Sequence, residues 1–458
     1  MKEEESLIDK DKLGLTGLVA LVFGMMVGSG IFNIPQNLAA GAGLGAVLTG
    51  WAITATGMLM LVSTFKILSD RHPELNDGIY LYAEKGFGRF TGFNIAWGYW
   101  LCACFANIAY AVMLNDTFGA FFPQLLGHGW PTVIFCSSLI WIMYLLISSG
   151  MRTSSIIATA AAILKISVIV LIIIMLALNI KYDTLTADIW SLGEGIGGIT
   201  SQVKSTMLVT LWCFIGIEGA VVMSGRARRQ SHVGKAGILG FLAAWILYVL
   251  VSVFCFGIMS RAQLAGLEDP SVAYALRSTC GDRAYWLVII SVIISISGGW
   301  FAWTIVTAQQ PYSAASHGIF PQWLTDRKDR GSLRRALFAS SIIMQLFLFL
   351  VIMAEDVYLY ALNITSLMVL PAYLFSGLFL LKIARTDYRE HLSASHAKRD
   401  LAYAVGIGTG CTIFCIWMIY AAGIGLLLQA FAFYIAGLPL YRTERKPGNE
   451  LKSENNNY

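Results

Sequence analysis

The chain has 458 residues, of which 57% are apolar and 13% charged, with a net charge of +5 and a mean hydropathy of +0.67. At this length a soluble chain would divide into two to four domains, but that composition excludes soluble cores and places the chain in a bilayer. Its basic excess reads as membrane topology and gives no reason to expect nucleic acid.

The leader "MKEEESLIDKDK" is charged throughout, and the apolar run behind it is longer than a signal-peptide core, so the first helix is expected to remain in the protein. Runs long enough to cross about 30 Å of hydrocarbon follow at 15–40, 43–68, 92–122, 131–149, 154–179 and 203–225, then at 236–259, 284–315, 336–353, 357–383, 401–421 and 424–441. They predict an all-α integral membrane protein with twelve transmembrane helices. The expected organisation is a cytoplasmic segment 1–14, a core 15–400, two further helices in 401–441 and a disordered polar tail 442–458. With both termini cytoplasmic, 26 of the 32 Lys and Arg residues fall on the inner side, as positively charged loops resist translocation. Of the eight cysteines only Cys280 falls outside the spans, so they read as packing residues and not as a disulfide framework.

Span one breaks its own regularity in "GMMVGSGIFNIP" (Gly24 to Pro35), where Gly28, Ser29 and Gly30 sit at mid-depth. Span six holds "FIGIEGA" at a similar depth and enters from the opposite side, which is the signature of a five-plus-five inverted repeat, here about 15–180 and 200–383. Backbone groups cannot go unpaired in hydrocarbon, so two matched breaks imply a cavity. A half-helix starting after Gly30 offers N–H groups and a positive dipole end to a carboxylate. The carbonyls near Ile215 suit an ammonium, and together the two ends read the main chain of an α-amino acid. The glycines of "GAGLGAVLTG" and at 406, 408 and 410 read as helix packing.

Charged residues inside spans are expensive and point to function. Glu218 follows the second break and is a proton-binding candidate, or else a structural carboxyl bonded to backbone. Lys165 in "AAAILKISVIV" is placed to stand where ion-coupled transporters hold sodium, or else to bridge helices. Trp212, and Trp300 with Trp303 in "GGWFAW", are candidates to stack on an organic cation or close the cavity. Asn363, Thr365 and Ser366 either line the pathway or join helices. The loop "SRAQLAGLEDPSVAYALRSTCGD" is long enough for short gate-like helices.

With these motifs in view, the chain resembles the amino acid, polyamine and organocation transporter superfamily. More narrowly it resembles the basic amino acid/polyamine antiporters, nearest the arginine/ornithine exchangers. The resemblance runs over nearly the whole chain and is carried by "VGSGIFNIPQNLAA", "DGIYLYAEKGFGRFTGFNIAWGYWLCACFANIAY" and "LWCFIGIEGAVVMSGRARRQSHVGKAGILGF". It implies a LeuT-type fold with broken helices one and six. It also implies exchange of an amino acid for its metabolic product by alternating access, at a bacterial inner or plasma membrane. The substrate site it implies is Ser29, Gly30, Ile31, Asn107, Trp212, Ile215 and Trp300, with Tyr99, Glu218 and Lys165 in gating or coupling. The arginine/ornithine group carries a glutamate after its span-eight tryptophan, whereas this sequence has Gln309 and Gln310. That departure favours a histidine/histamine pair or another amino acid and amine. Within transport, the competing reading is a proton-coupled amino acid permease.

The partners expected are the amino acid and its exchanged amine or amino acid, protons, the lipid bilayer and a second copy in a homodimer. No metal site, cofactor or enzymatic activity is expected: there is no HExxH, no nucleotide-binding loop and no His or Cys cluster at metal spacing. Nor are there the filter repeats or charged rings of an ion channel.

Overall fold

The computed structural model describes residues 14–442, apart from 29, 76–77, 150–154, 220–227, 229–230, 326–331, 355 and 391–396. Ser29, both termini and the tail after residue 442 therefore lie outside the described residues, which are helical with no strand among them. In chain order the helices are α1 Leu15–Met26, α2 Ile34–Gly41, α3 Leu44–Arg71, α4 Tyr80–Phe87, α5 Arg89–Gly119, α6 Trp130–Ser148, α7 Ser155–Leu178 and α8 Tyr182–Thr186. They continue with α9 Ile199–Trp212, α10 Ser231–Ile258, α11 Arg261–Ala265, α12 Ser271–Cys280, α13 Asp282–Ser316, α14 Arg334–Val351, α15 Val357–Glu390 and α16 Ala397–Arg442. Seven of these (α3, α5, α6, α10, α13, α15 and α16) are long and apolar enough to cross a membrane. The element α16 leaves helical geometry at Gly423, where φ is +78°, and so divides the last apolar stretch in two.

The helix α5 is the axis of the packing. Its whole apolar window is buried, and α4, α6, α13, α14, α15 and α16 all touch it. By contrast α16 is the most exposed of the seven, with Ile413, Tyr420, Leu428 and Phe431 turned outward, as a lipid-facing helix requires.

Two short helices fill the loop 259–281. The first, α11, is capped by a reciprocal Ser260 and Gln263 pair, which satisfies the N–H groups that a five-residue helix would otherwise leave open. Arg261 then ties this loop to its neighbours: it donates to Glu194 Oε2 at 2.5 Å and to the Ala39 carbonyl at the end of α2 at 2.7 Å. A second tie is Gln202 of α9. Its Oε1 accepts from Gly43 N–H (2.9 Å), and its Nε2 donates to the carbonyls of Trp190 (2.8 Å) and Gly197 (3.1 Å). These contacts fix α2, the start of α3 and the start of α9 as one unit.

Gln202 is fully buried, so Gln202→Leu orphans an N–H and two carbonyls at a cost of roughly 1–3 kcal/mol for each group left unpaired. A lowered thermal midpoint of the detergent-purified protein is expected, and an unchanged midpoint would show that these bonds do not hold the unit together.

Candidate functional site

The sequence "GMMVGSGIFNIP" does interrupt its helix. The helix α1 stops at Met26, a 3-10 turn covers Gly30–Phe32, and α2 starts at Ile34 with Pro35 in its first turn, where no donor is needed. Ending α1 inside the protein removes the i+4 partners of its last carbonyls. Three different helices supply replacements. Lys165 Nζ of α7 lies 3.4 Å from the Gly24 carbonyl, Trp303 Nε1 of α13 lies 3.4 Å from that of Met25, and Tyr248 of α10 donates to that of Met26 at 3.0 Å.

The second interruption follows Trp212. Residues 213–218 form tight turns closed by Phe214 N–H to Leu211 O (2.9 Å) and Ile217 N–H to Phe214 O (3.1 Å). Gly216 has φ +107°, a conformation open to glycine and strained for other residues. The two interruptions meet. A Cβ at Gly216 would lie 3.2 Å from the Met25 carbonyl oxygen and 3.1 Å from the Trp303 ring, and one at Gly30 would lie 3.0 Å from Trp212 Nε1. A Cβ at Gly28 would run into the Tyr110 hydroxyl oxygen. Glycine is thus required where the backbone lets aromatic side chains approach.

Between the breaks is a cavity of about 20 Å³ lined by Met25, Gly28, Gly30, Tyr110, Trp212, Ile215, Tyr248 and Trp303, among others. That is space for a water and not for an amino acid. Of the residues expected from sequence, Gly30, Trp212 and Ile215 line this cavity. Ile31 is buried in the adjoining 3-10 turn, and Ser29 is outside the described residues.

Asn107 and Trp300 are brought together, but behind the cavity. The Asn107 Oδ1 accepts from Trp300 Nε1 and Thr304 Oγ1, each at 2.8 Å, while its Nδ2 donates to Thr307 Oγ1 and the Ala103 carbonyl, each at 2.7 Å. The amide is saturated, and it locks α5 to α13. Of the two tryptophans in "GGWFAW", Trp303 is the one that faces the cavity.

Glu218 is buried and takes three donors: Tyr99 of α5 at 2.6 Å, Tyr373 of α15 at 2.8 Å and the Gly216 N–H at 3.2 Å. Gln310 is buried, whereas Gln309 is exposed. In α15, Ser366 donates to the Leu208 carbonyl of α9 at 3.0 Å and so joins two helices, whereas Thr365 bonds the Ala361 carbonyl of its own helix.

The amino acid permease family model matches residues 13–443. The chain belongs to the amino acid permease family. It is a transporter of the multi-pass membrane class, and its relatives agree over nearly their full length. An arginine/agmatine antiporter of Chlamydia felis is 41% identical over 451 residues, covering 97% of this chain and 92% of that protein. One from Chlamydia pneumoniae is 40% identical over 448 residues, covering 96% and 92%. Among solved structures, a manganese transporter of Eremococcus coleocola covers 94% of this chain and 93% of its own at a TM-score of 0.57 and 11% identity, a likeness of fold alone.

Three residues packed around the two interruptions, Tyr110, Tyr248 and Tyr373, are not singled out by the sequence. Tyr110 carried a usable signal, since it lies three residues after Asn107 on a neighbouring helical position. Tyr248 and Tyr373 carried none, because a tyrosine within a long apolar run looks the same whether it packs or caps a distant carbonyl.

Gly28→Ala drives a Cβ into the Tyr110 hydroxyl and is expected to reduce substrate uptake at least about tenfold, the effect of 1.4 kcal/mol. Adding Tyr110→Phe removes the clash with the hydroxyl, leaves the nearest ring carbon at 3.2 Å and is expected to restore part of the activity. Uptake measured for the single and double variants checks this; a double variant no better than the single one would contradict it.

Proposed function

We propose that this permease is a secondary antiporter that exchanges extracellular arginine for agmatine, its decarboxylated amine, by alternating access. The reading rests on two broken helices that meet through Gly30 and Trp212 around one cavity, and on relatives at about 40% identity that carry the arginine/agmatine name. In it the chain has the twelve-helix, five-plus-five LeuT-type arrangement, sits in the cell membrane with both termini cytoplasmic, and can pair as a homodimer.

The N–H groups at Ser29, Gly30 and Ile31 hold the substrate carboxylate at the start of the second half-helix. Carbonyls near Ile215 hold the α-amino group. Trp212 stacks on the guanidinium, an arrangement open to arginine and agmatine alike because it ignores the carboxylate that distinguishes them. Trp303 closes the cavity from the side of α13. Asn107 and Trp300 act from behind, keeping the Tyr110 turn of α5 against α13, and release of one bond would let the Asn107 amide reach the substrate's polar end.

Glu218 joins three elements that must separate when access switches: the second break, α5 through Tyr99 and α15 through Tyr373. It is the coupling residue of this scheme, and proton exchange at its carboxylate would loosen both tyrosine bonds. Lys165 supplies a fixed positive charge at the open end of α1, which makes a sodium ion unnecessary there.

Proteoliposomes loaded with agmatine are expected to take up radiolabelled arginine, those loaded with buffer alone to take up almost none, and replacement of sodium by choline to change neither rate. Uptake into buffer-loaded vesicles driven by a proton gradient would replace antiport with proton-coupled uptake. A sodium requirement would remove the role given to Lys165.

A further inference from the structure

Trp51 of α3 does not line the cavity, yet it touches what supports both interruptions. Its ring lies nearly parallel to that of Tyr248 in α10, with centroids 5.9 Å apart and planes 14° from parallel, and it meets Phe214 edge-on at 5.8 Å. Phe214 in turn meets Tyr248 edge-on at 5.8 Å, so the three rings close a triangle. All three are buried, and each pair adopts an arrangement that aromatic quadrupoles favour. The indole is also held by its N–H. Trp51 Nε1 donates to Ser252 Oγ at 3.2 Å, and that hydroxyl donates to the Tyr248 carbonyl at 2.8 Å.

The two partners of Trp51 serve different interruptions. Tyr248 donates its hydroxyl to the Met26 carbonyl at the end of α1 (3.0 Å), and its side chain lines the cavity. Phe214 belongs to the second interruption, where its N–H donates to the Leu211 carbonyl and its carbonyl accepts from the Ile217 N–H. Further along α3, Thr54 Oγ1 meets Thr210 Oγ1 at 2.7 Å, so the same helix grips the last turn of α9, which ends at Trp212. One side chain outside the cavity thus joins the cap of the first interruption to the backbone turn of the second.

We propose that Trp51 is a positioning residue of the substrate site, one that fixes the spacing of the two interruptions and thereby sets the affinity for an α-amino acid relative to the amine that lacks its carboxylate. The inference rests on the exchange reading above. In that reading arginine uses both interruptions, its carboxylate at the first and its α-amino group at the second, whereas agmatine presents no carboxylate to the first. A change of spacing therefore costs arginine one of two main-chain contacts and leaves those of agmatine in place. Trp51→Leu takes the ring partner from both Tyr248 and Phe214 and the indole donor from Ser252, so that the Tyr248 hydroxyl is no longer held on the Met26 carbonyl.

Equilibrium binding of arginine and of agmatine to the full-length, detergent-purified protein tests this. Trp51→Leu is expected to raise the arginine Kd about tenfold and the agmatine Kd by less than about threefold. In a Tyr248→Phe background, where no hydroxyl is left to position, Trp51→Leu is expected to add less than about twofold to the arginine Kd. Should Trp51→Leu fail to run as a monodisperse protein, Ser252→Ala, which takes the acceptor from the indole N–H, is expected to weaken arginine more than agmatine in the same way. Unchanged affinities, equal losses for the two ligands, or full additivity with Tyr248→Phe overturn the positioning role and leave antiport standing; absence of arginine-for-agmatine exchange in wild-type proteoliposomes overturns antiport itself.

Discussion

The rest of this structure depends on one constraint: in a bilayer, a helix that stops halfway must find partners for the carbonyls it leaves open. The end of α1 meets it with three side chains from three helices. Lys165, Trp303 and Tyr248 reach the carbonyls of Gly24, Met25 and Met26, so α7, α13 and α10 are all positioned by the same few ångströms of backbone. The interruption is therefore a fixed point. Its polar groups cost little because each of these carbonyls is met.

Glycine and aromatic residues complement each other around that point. Gly28, Gly30 and Gly216 each give up a side chain so that Tyr110, Trp212 and Trp303 can press against the backbone. The large rings leave only about 20 Å³ between them. Closely packed interiors switch between discrete arrangements more readily than they stretch. A cavity walled by four aromatic side chains and bare backbone fits that behaviour, since rotation of the Trp212 ring opens space without unpairing the end of α1.

Polar knots hold the surrounding helices in register. Asn107 spends all four hydrogen-bonding positions on α5 and α13, which makes that contact rigid. Glu218 spends its carboxylate on two tyrosines and one N–H from three separate elements. Arg261 fastens the 259–281 loop to the end of α2, and Gln202 fastens the start of α3 to the start of α9.

The sequence by itself determined the environment, the helical class and the two interruptions, because apolar runs and mid-span glycines act through local rules that need no knowledge of neighbours. It also marked Gly30, Trp212 and Ile215, which lie at the interruptions themselves. Only the tertiary structure decided which tryptophan of "GGWFAW" faces the cavity and that Asn107 is saturated from behind. It alone brought Tyr248 to the Met26 carbonyl, Tyr373 to Glu218 and Tyr110 against Gly28. The physical reason is the same in each case: a hydrogen bond between residues 141 to 278 positions apart, such as those from Lys165 and Trp303, leaves no periodicity in the chain and exists only once the helices are packed.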